Sequence, residues 1–312
     1  MAANIETMFS VRETPWHNQG IVIKEAPTSE EAIKIAQLDW DVVGNPIYDG
    51  DGNLIPGYKL NTRTSDNKAL GVVTDKYRIV QNREAFAFTD ELLGEGVTYE
   101  TAGSLASGKR VWMLARLEGT KICGDDFENF LVFTNTHDGT SAIKVAITPV
   151  RVVCQNTLNL ALSQASRTWS CIHKGDIQGK LSEAKITLSN AAVYQEQLTE
   201  TLETMNEQNL YDSDLKDIIA TILPYPVNKD GSISKRAQQN VDDLRAELLF
   251  RYESAPDLQK VNRSAYRFIN AVSDFATHSA PRRLTTNFAE NRFMQTVDGN
   301  AIIDKAYRLL AA

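Results

Sequence analysis

The order of apolar and polar positions divides the chain into a strand-rich part and a helix-rich part. Up to about residue 175, most apolar runs are short and alternate with polar residues, which is the period of half-buried antiparallel strands. Beyond residue 175, apolar positions recur at helical spacing. Because the strands follow one another without a helix between each pair, the pattern predicts an α+β fold. We expect a sheet-rich α+β core over residues 1–175 and a helical region over 176–312 that docks on it.

The first part carries strong turn and cap signals. The segment DGDGN at 49–53 predicts the turn of a β-hairpin between strands at 39–48 and 54–63. Helices are predicted at 29–38, opened by Ser29, and at 82–94, capped by Asn82 and closed by Gly94. The remaining elements of this part are strands at 69–80, 97–106, 111–118, 128–139, 141–153 and 167–174, and a helix at 154–165.

The second part reads as a series of helices at 180–208, 213–223, 232–254, 262–278 and 301–310. The first of them holds a heptad seam, which suits either a partner helix or packing on its own domain, the more frequent arrangement. The seam consists of Leu181, Leu188, Gln195 and Leu202 at one position, and of Ala184, Ala191, Leu198 and Met205 at the other.

Composition places the chain among globular proteins, with 42% hydrophobic and 23% charged residues. No apolar stretch reaches the roughly 18 to 20 residues of a membrane span, and the first residues lack the pattern of a secretory signal. Three cysteines without a close pair (Cys123, Cys154, Cys171) suit reduced thiols in the cytoplasm. We therefore expect a cytoplasmic protein that does not contact membranes.

The formal net charge of −7 argues against nucleic-acid binding through bulk positive charge, but the charge is unevenly distributed. Residues 139–175 hold four bases and no acid, whereas residues 176–258 hold fifteen acids and eight bases. This distribution fits either a basic binding surface or a solvated acidic face beside basic loops.

Familiar catalytic and metal motifs are incomplete. The segment GSLASGKR (103–110) departs from a phosphate-binding loop, because Arg110 replaces the required Ser or Thr and a strand follows. A calcium loop starting at Asp49 fails, because Leu54 and Leu60 occupy the glycine and glutamate positions. The four histidines show no metal spacing. The sequence thus predicts no catalytic residue, no metal and no cofactor.

Aromatic and basic residues alternate in the β-rich part, as in grooves that bind single strands by phosphate neutralisation and base stacking. Strict strand alternation places Arg110 with Trp112 on one face, and Arg167 with Trp169. The alternative is that each tryptophan belongs to the core. The predicted stacking residues are Tyr77, Trp112 and Trp169. The predicted phosphate contacts are Lys109, Arg110, Lys144, Arg151, Arg167 and Lys174, with Arg282 and Arg283 as a second strip.

Four segments resemble the phage- and plasmid-like family of the domain of unknown function 932: ETPWHNQG, KYRIVQNREAF, TPVRVVCQNTLNLAL and AYRFINAVSDFATH. The resemblance covers most of the chain and implies a bacterial cytoplasm, but no activity. At the level of element order, the chain is also similar to the RecT and Red-beta single-strand annealing proteins. That similarity implies rings or filaments that hold DNA in a positively charged groove, and it transfers no site residues.

From these observations we expect a non-catalytic, homo-oligomeric protein that binds and anneals single-stranded DNA in phage or plasmid replication or recombination. The alternative is a protein-interaction or anti-defence factor that binds a host protein. A third alternative is an unfamiliar enzyme that depends on His137, Asp138 or Cys154.

Overall fold

The computed structural model describes residues 5–11, 20–94, 97–151, 156–157, 162, 167–175, 178–280, 295 and 297–311. The described strands are β1 (Ile5–Val11), β2 (Ile21–Ile23), β3 (Val42–Tyr48), β4 (Leu54–Arg63), β5 (Ala69–Thr74), β6 (Tyr99–Leu105), β7 (Arg110–Ile122), β8 (Asp125–Thr136), β9 (Ile143–Arg151), β10 (Asn156–Thr157) and β11 (Thr168–Cys171). The described α-helices are α1 (Ser29–Ile35), α2 (Asn82–Leu93), α3 (Leu181–Glu207), α4 (Asp212–Ile222), α5 (Lys235–Ser254), α6 (Ala265–His278) and α7 (Ala301–Leu310). The α+β prediction is confirmed.

Eight strands form the large sheet, in the order β10-β9-β8-β7-β6-β1-β2, with β11 also paired to β9. The pairs are antiparallel apart from β1 with β2. The segment 103–110 covers the end of β6, the turn at 106–109 and the first residue of β7, and Ala106 and Ser107 in the turn have positive φ values of 50° and 63°. A strand follows this turn instead of a helix, which agrees with the rejection of a phosphate-binding loop.

The remaining three strands form a separate antiparallel sheet in the order β3-β4-β5, which we call the small sheet. Its first turn is the one predicted at 49–53. The Asp49 carboxylate accepts hydrogen bonds from the backbone N–H groups of Asp51 (2.9 Å) and Asn53 (2.8 Å). Such side-chain bonds to the following backbone are the reason why aspartate favours turns.

The helix starts differ by one residue from the predicted caps. Helix α1 is preceded by Thr28 and α2 by Gln81, and each cap N–H donates to a glutamate three residues later, at 3.0 Å and 2.8 Å. Asn82 is instead buried inside the fold, where its side-chain amide donates to the Leu38 carbonyl. Asn82 therefore forms a tertiary contact instead of the predicted helix cap.

The structure contains two main cores. The first lies between the large sheet, α1 and α2 and contains Phe9, Phe88, Phe133 and Trp169; the second lies among α3 to α7. Helix α3 contacts both cores through its heptad positions, because Ala184 belongs to the first and Leu198, Leu202 and Met205 to the second. These seam residues are therefore buried within the chain itself.

The helical region also contacts the large sheet directly. Ile122 and Phe127 of the large sheet belong to the helical core, and the Tyr266 hydroxyl donates to the Asp125 carboxylate at 2.7 Å. The position of a domain boundary at residue 175 stays a prediction.

One predicted element is wrong where the structure describes it. Asn156 and Thr157 pair with β9 as a short strand instead of lying in a helix. Most of the predicted helix 154–165, including Cys154, lies outside the described residues.

Candidate interaction surface

The three predicted stacking residues are enclosed by the fold. Trp169 is 7% exposed and stacks on Phe88, with ring centroids 5.7 Å apart. Trp112 is 5% exposed and packs against Met8 and Leu105. The half-buried Tyr77 stacks on His173 at 4.4 Å and donates its hydroxyl proton to the Thr136 carbonyl. A base has no access to either indole face, so the interpretation of the two tryptophans as core residues is the one that fits the fold.

Three of the predicted phosphate contacts are turned inward or paired. Arg110 and Arg167 are buried, and Arg167 donates to the Ile147 carbonyl at 3.1 Å. Burial lowers the pKa of the Arg167 guanidinium, although nearby carboxylates act in the opposite direction. Lys144 forms an ion pair with Asp298 at 2.6 Å. In this arrangement Arg110 and Arg167 are withdrawn from solvent, and the charge of Lys144 is paired.

The other predicted contacts have different positions. Lys109 is half-buried in the β6–β7 turn, and Lys174 is exposed after β11. The side chain of Arg151 and both Arg282 and Arg283 lie outside the described residues, so their predicted role stays a prediction.

His137 and Asp138, the residues of the enzyme alternative, serve two separate structural contacts. The Asp138 carboxylate accepts from the Thr140 N–H (2.9 Å) and hydroxyl (2.6 Å) in a turn. The His137 Nε2 atom lies 3.1 Å from Asn82 Oδ1. Because the Asn82 amide nitrogen donates to Leu38, its oxygen must accept, so His137 donates through Nε2. Burial lowers the pKa of His137 to about 3, which is too low for a general base near neutral pH.

The sequence predicts the hairpin around 49–53 but not its exposure. We call its projecting part, residues 43–58, the arm. Almost every side chain in this segment is exposed. Strand β5 pairs with β4 only from Tyr58 onward. The parts of β3 and β4 nearest the turn therefore extend beyond β5. At the arm's tip, Tyr48 and Leu54 are each 58% exposed and Ile55 is 37% exposed.

The small sheet also has one apolar face that is open to solvent, which we call the outer face. Leu60 pairs with Asn45 on one side and with Val72 on the other, and Tyr58 pairs with Thr74. Directly paired residues point to the same side of a sheet, so these side chains share one face. On that face Tyr58 is 51% exposed and Val72 is 59% exposed.

The opposite face of the small sheet packs on the large sheet. Val73 and Asn61 are buried there, and the Asn61 amide donates to the His137 carbonyl at 2.7 Å. Gly71 lies so close to Asp138 that an added Cβ would be 2.6 Å from its Cα. Because the inner face packs on the large sheet, the outer face points towards solvent.

Exposed apolar side chains that cluster on one surface mark interaction sites in soluble proteins. Among the described residues, the small sheet carries six of the large apolar side chains that are strongly exposed: Val43, Tyr48, Leu54, Ile55, Tyr58 and Val72. The alternation in β4 and β5 gave a signal for strands. It gave no signal that these strands belong to a sheet separate from the large sheet.

The described ranges contain neither a candidate metal site nor a candidate membrane-spanning helix. His, Cys, Asp and Glu side chains there form no group of three or more that could hold a metal ion. None of the helices in the described part of the chain combines the length and apolar character of a membrane span.

The profile of one protein family matches this chain. The family is described as Domain of unknown function (DUF932), and its profile matches residues 69–296, more than half of the chain. Comparison with curated proteins and with solved structures yields no match. The arm precedes the matched range, whereas β5 and its Val72 lie inside it. The chain therefore belongs to the family of the Domain of unknown function (DUF932).

Proposed function

We propose that this chain is a non-catalytic protein-interaction module that binds a partner protein through its arm and outer face. The observation that carries the proposal is the exposure of Val43, Tyr58 and Val72 on one face of a sheet whose other face is anchored. Tyrosine is enriched at protein interfaces, because it offers a large apolar area together with a polar tip.

Covering this surface would contribute to the free energy of binding. Complete burial of a Val, Leu or Phe side chain contributes about 1.5–3 kcal/mol. Tyr48, Leu54, Tyr58 and Val72 are each a little more than half exposed, so a partner would gain about 1 kcal/mol from each. Contacts of this size, concentrated in one patch, resemble the small clusters that dominate protein interfaces.

The charges of the arm favour a protein partner over nucleic acid. Residues 43–58 contain two acids, Asp49 and Asp51, and no lysine or arginine. Phosphate groups are bound mainly by cations, whose neutralising effect supplies most of the non-specific affinity. An acidic, apolar arm lacks that attraction.

A face variant with Tyr58→Ser and Val72→Ser tests the proposal. Both side chains are exposed, so the variant should fold, with a change in unfolding free energy of less than about 1 kcal/mol. The matched control is Phe250→Ser on α5, which removes an apolar side chain that is 68% exposed and lies outside the small sheet.

The assay is affinity co-purification from a lysate of the host cell, followed by quantitative mass spectrometry. We expect a stoichiometric partner with the wild-type protein and with Phe250→Ser, and its loss with the face variant. Equal recovery of that partner with the face variant would refute the assignment of the surface.

The proposed setting is the bacterial cytoplasm, where a phage- or plasmid-borne protein would act on a host protein. An anti-defence role fits this setting, because such a factor needs a binding surface and no chemistry of its own.

Single-stranded DNA binding and annealing by a homo-oligomer, as in RecT-like proteins, is the second candidate. One observation favours it: Tyr48 and Tyr58 are exposed on the arm, and exposed aromatic rings can stack on bases. Fluorescence anisotropy with a labelled single-stranded oligonucleotide at low and physiological salt tests this candidate. Salt-sensitive, micromolar binding that Arg151→Ala and Lys174→Ala weaken would support the predicted groove, and no binding at low salt would exclude it.

A further inference from the structure

The dimensions of the outer face match one helix. Three strands about 4.8 Å apart give a face ~14 Å wide, and the six residues of β5 give it a length of ~20 Å. An α-helix is about 10 Å across and rises 1.5 Å per residue, so a helix of about 13 residues would cover the face. Packing a helix on the open side of a sheet is a standard two-layer arrangement.

The edge of the small sheet is less suited to a partner than its face. Strand β3 is an edge strand, and it contains Pro46, which has no backbone N–H to donate. Its pairing with β4 is also irregular between Pro46 and Tyr48. Proline and irregular pairing are features that discourage the addition of a further strand.

The turn end of the outer face has a net negative charge. Asp49, Asp51 and Asp75 lie there, and among the described residues Lys76 is the exposed cation beside them. Hydrogen bonds donated by Asn53 lower the pKa of Asp49, so that it is charged at neutral pH. The Lys59 ammonium lies on the inner side, where it donates to the Asp75 and Tyr77 carbonyls, and its charge leaves this end with a net charge of −1.

The charges at the opposite end of the small sheet are paired. Asp41 binds Arg83 at 2.5 Å, and Lys68 lies 3.8 Å from Glu6. A partner that covers the apolar face therefore meets unpaired charge mainly at the turn end, and that charge is negative.

A second copy of this chain fits poorly as the occupant. Two arms brought face to face with their turn ends together would place like charges in contact, which opposes association.

We infer that the outer face binds an amphipathic helix of a partner protein whose apolar stripe is bordered by lysine or arginine. This inference rests on the proposed protein-interaction function and specifies the partner element. The apolar stripe covers Val43, Tyr58 and Val72, and the basic border lies against Asp51 and Asp75.

Two labelled 14-residue peptides test the inference. One carries Leu at helical i, i+3, i+4 and i+7 positions with Lys elsewhere, and the other has Glu in place of every Lys. Binding to the full chain is measured by fluorescence anisotropy at 50 and 300 mM salt. We expect the Lys peptide to bind and the Glu peptide not to bind, and the face variant to lose at least tenfold in affinity for the Lys peptide.

The charge border is tested with Asp51→Asn and Asp75→Asn in one variant, which leaves the Asp49 turn intact. We expect about fivefold weaker binding of the Lys peptide at low salt and a smaller loss at high salt. The matched control is Glu200→Gln with Glu203→Gln, which removes two exposed charges from α3 and should leave the affinity unchanged.

Each other outcome overturns the inference. Equal binding of the two peptides, or an equal loss with the α3 control, would show that binding is not specific to the outer face. Self-association abolished in the face variant would identify a second copy as the occupant, and oligonucleotide binding abolished in that variant would identify nucleic acid. If the peptides fail but the face variant still loses the co-purified partner, the helix inference falls and the proposed function stands.

Discussion

His137 is a neutral imidazole sealed between the small sheet and the large sheet, and this burial predicts a loss of stability in mild acid. Its ring donates to Asn82 and packs edge-on against Trp40, with ring centroids 5.4 Å apart. Burial lowers its pKa from 6.5 to about 3. The folded state therefore resists protonation at a pH where the unfolded chain accepts the proton readily.

The sign and the magnitude follow from proton linkage. A base whose pKa is lower in the folded state leaves stability unchanged above pH 6.5 and removes stability as the pH falls from 6.5 towards 3. For pKa values of 6.5 unfolded and about 3 folded, the unfolding free energy should fall by about 2 kcal/mol between pH 8 and pH 5. Burial also lowers the pKa of His173, which adds to the loss in the same direction.

Urea denaturation followed by tryptophan fluorescence at pH 8, 6.5 and 5 measures this loss. The comparison is with His137→Gln, which keeps a side-chain donor near Asn82 but cannot accept a proton in this range. We expect the variant to be less stable at pH 8 and to show a pH dependence smaller by about 2 kcal/mol. Carboxylates titrate mostly below pH 5, so they contribute little to this window. The same pH dependence in the two proteins would refute the reasoning.

Three further predictions concern packing. Gly71→Ala should lower the unfolding free energy by more than 1 kcal/mol, because the added Cβ would lie 2.6 Å from the Asp138 backbone. The control Gly50→Ala, which has open space around it, should lower the unfolding free energy by less than about 0.5 kcal/mol. Equal effects of the two variants in thermal denaturation would contradict the placement of the small sheet. Trp169→Ala should cost about 3–5 kcal/mol because the indole is core, and a cost below 1 kcal/mol would restore a surface position for it. Arg63→Met should cost about 1.5–3 kcal/mol, because it removes the bidentate hydrogen bonds at 2.7 and 2.8 Å to the Glu6 carboxylate. In urea denaturation the double variant Arg63→Met, Glu6→Gln should recover part of this loss, and no recovery would argue against this ion pair.

Local signals in the sequence predicted the elements well where the chemistry is local. The hairpin turn at 49–53 was recognisable because the Asp49 carboxylate binds backbone N–H groups within four residues. The cap of α2 was misplaced by one residue because Asn82 is used by a distant segment, at the Leu38 carbonyl. A residue's tertiary partner cannot be read from its neighbours in the chain.

The burial of the predicted groove residues on β7 has a related cause. Alternation correctly places Arg110 and Trp112 on one face of β7 and Val111 and Met113 on the other. All four are buried, because β7 lies inside the large sheet and both of its faces are covered. Alternation separates the two faces of a strand, but it does not tell which face is exposed. The same limit hid the outer face, where Val72 resembles any core valine in sequence.

Site-specific photocrosslinking tests the central claim most directly. A benzoylphenylalanine is placed at Tyr58 on the outer face, and in a matched protein at Phe250 on α5, and each is irradiated in the host cell. The account predicts that position 58 crosslinks to one discrete protein other than this chain and that position 250 does not. Crosslinks from position 58 to nucleic acid or to a second copy, or the same products from both positions, would contradict it.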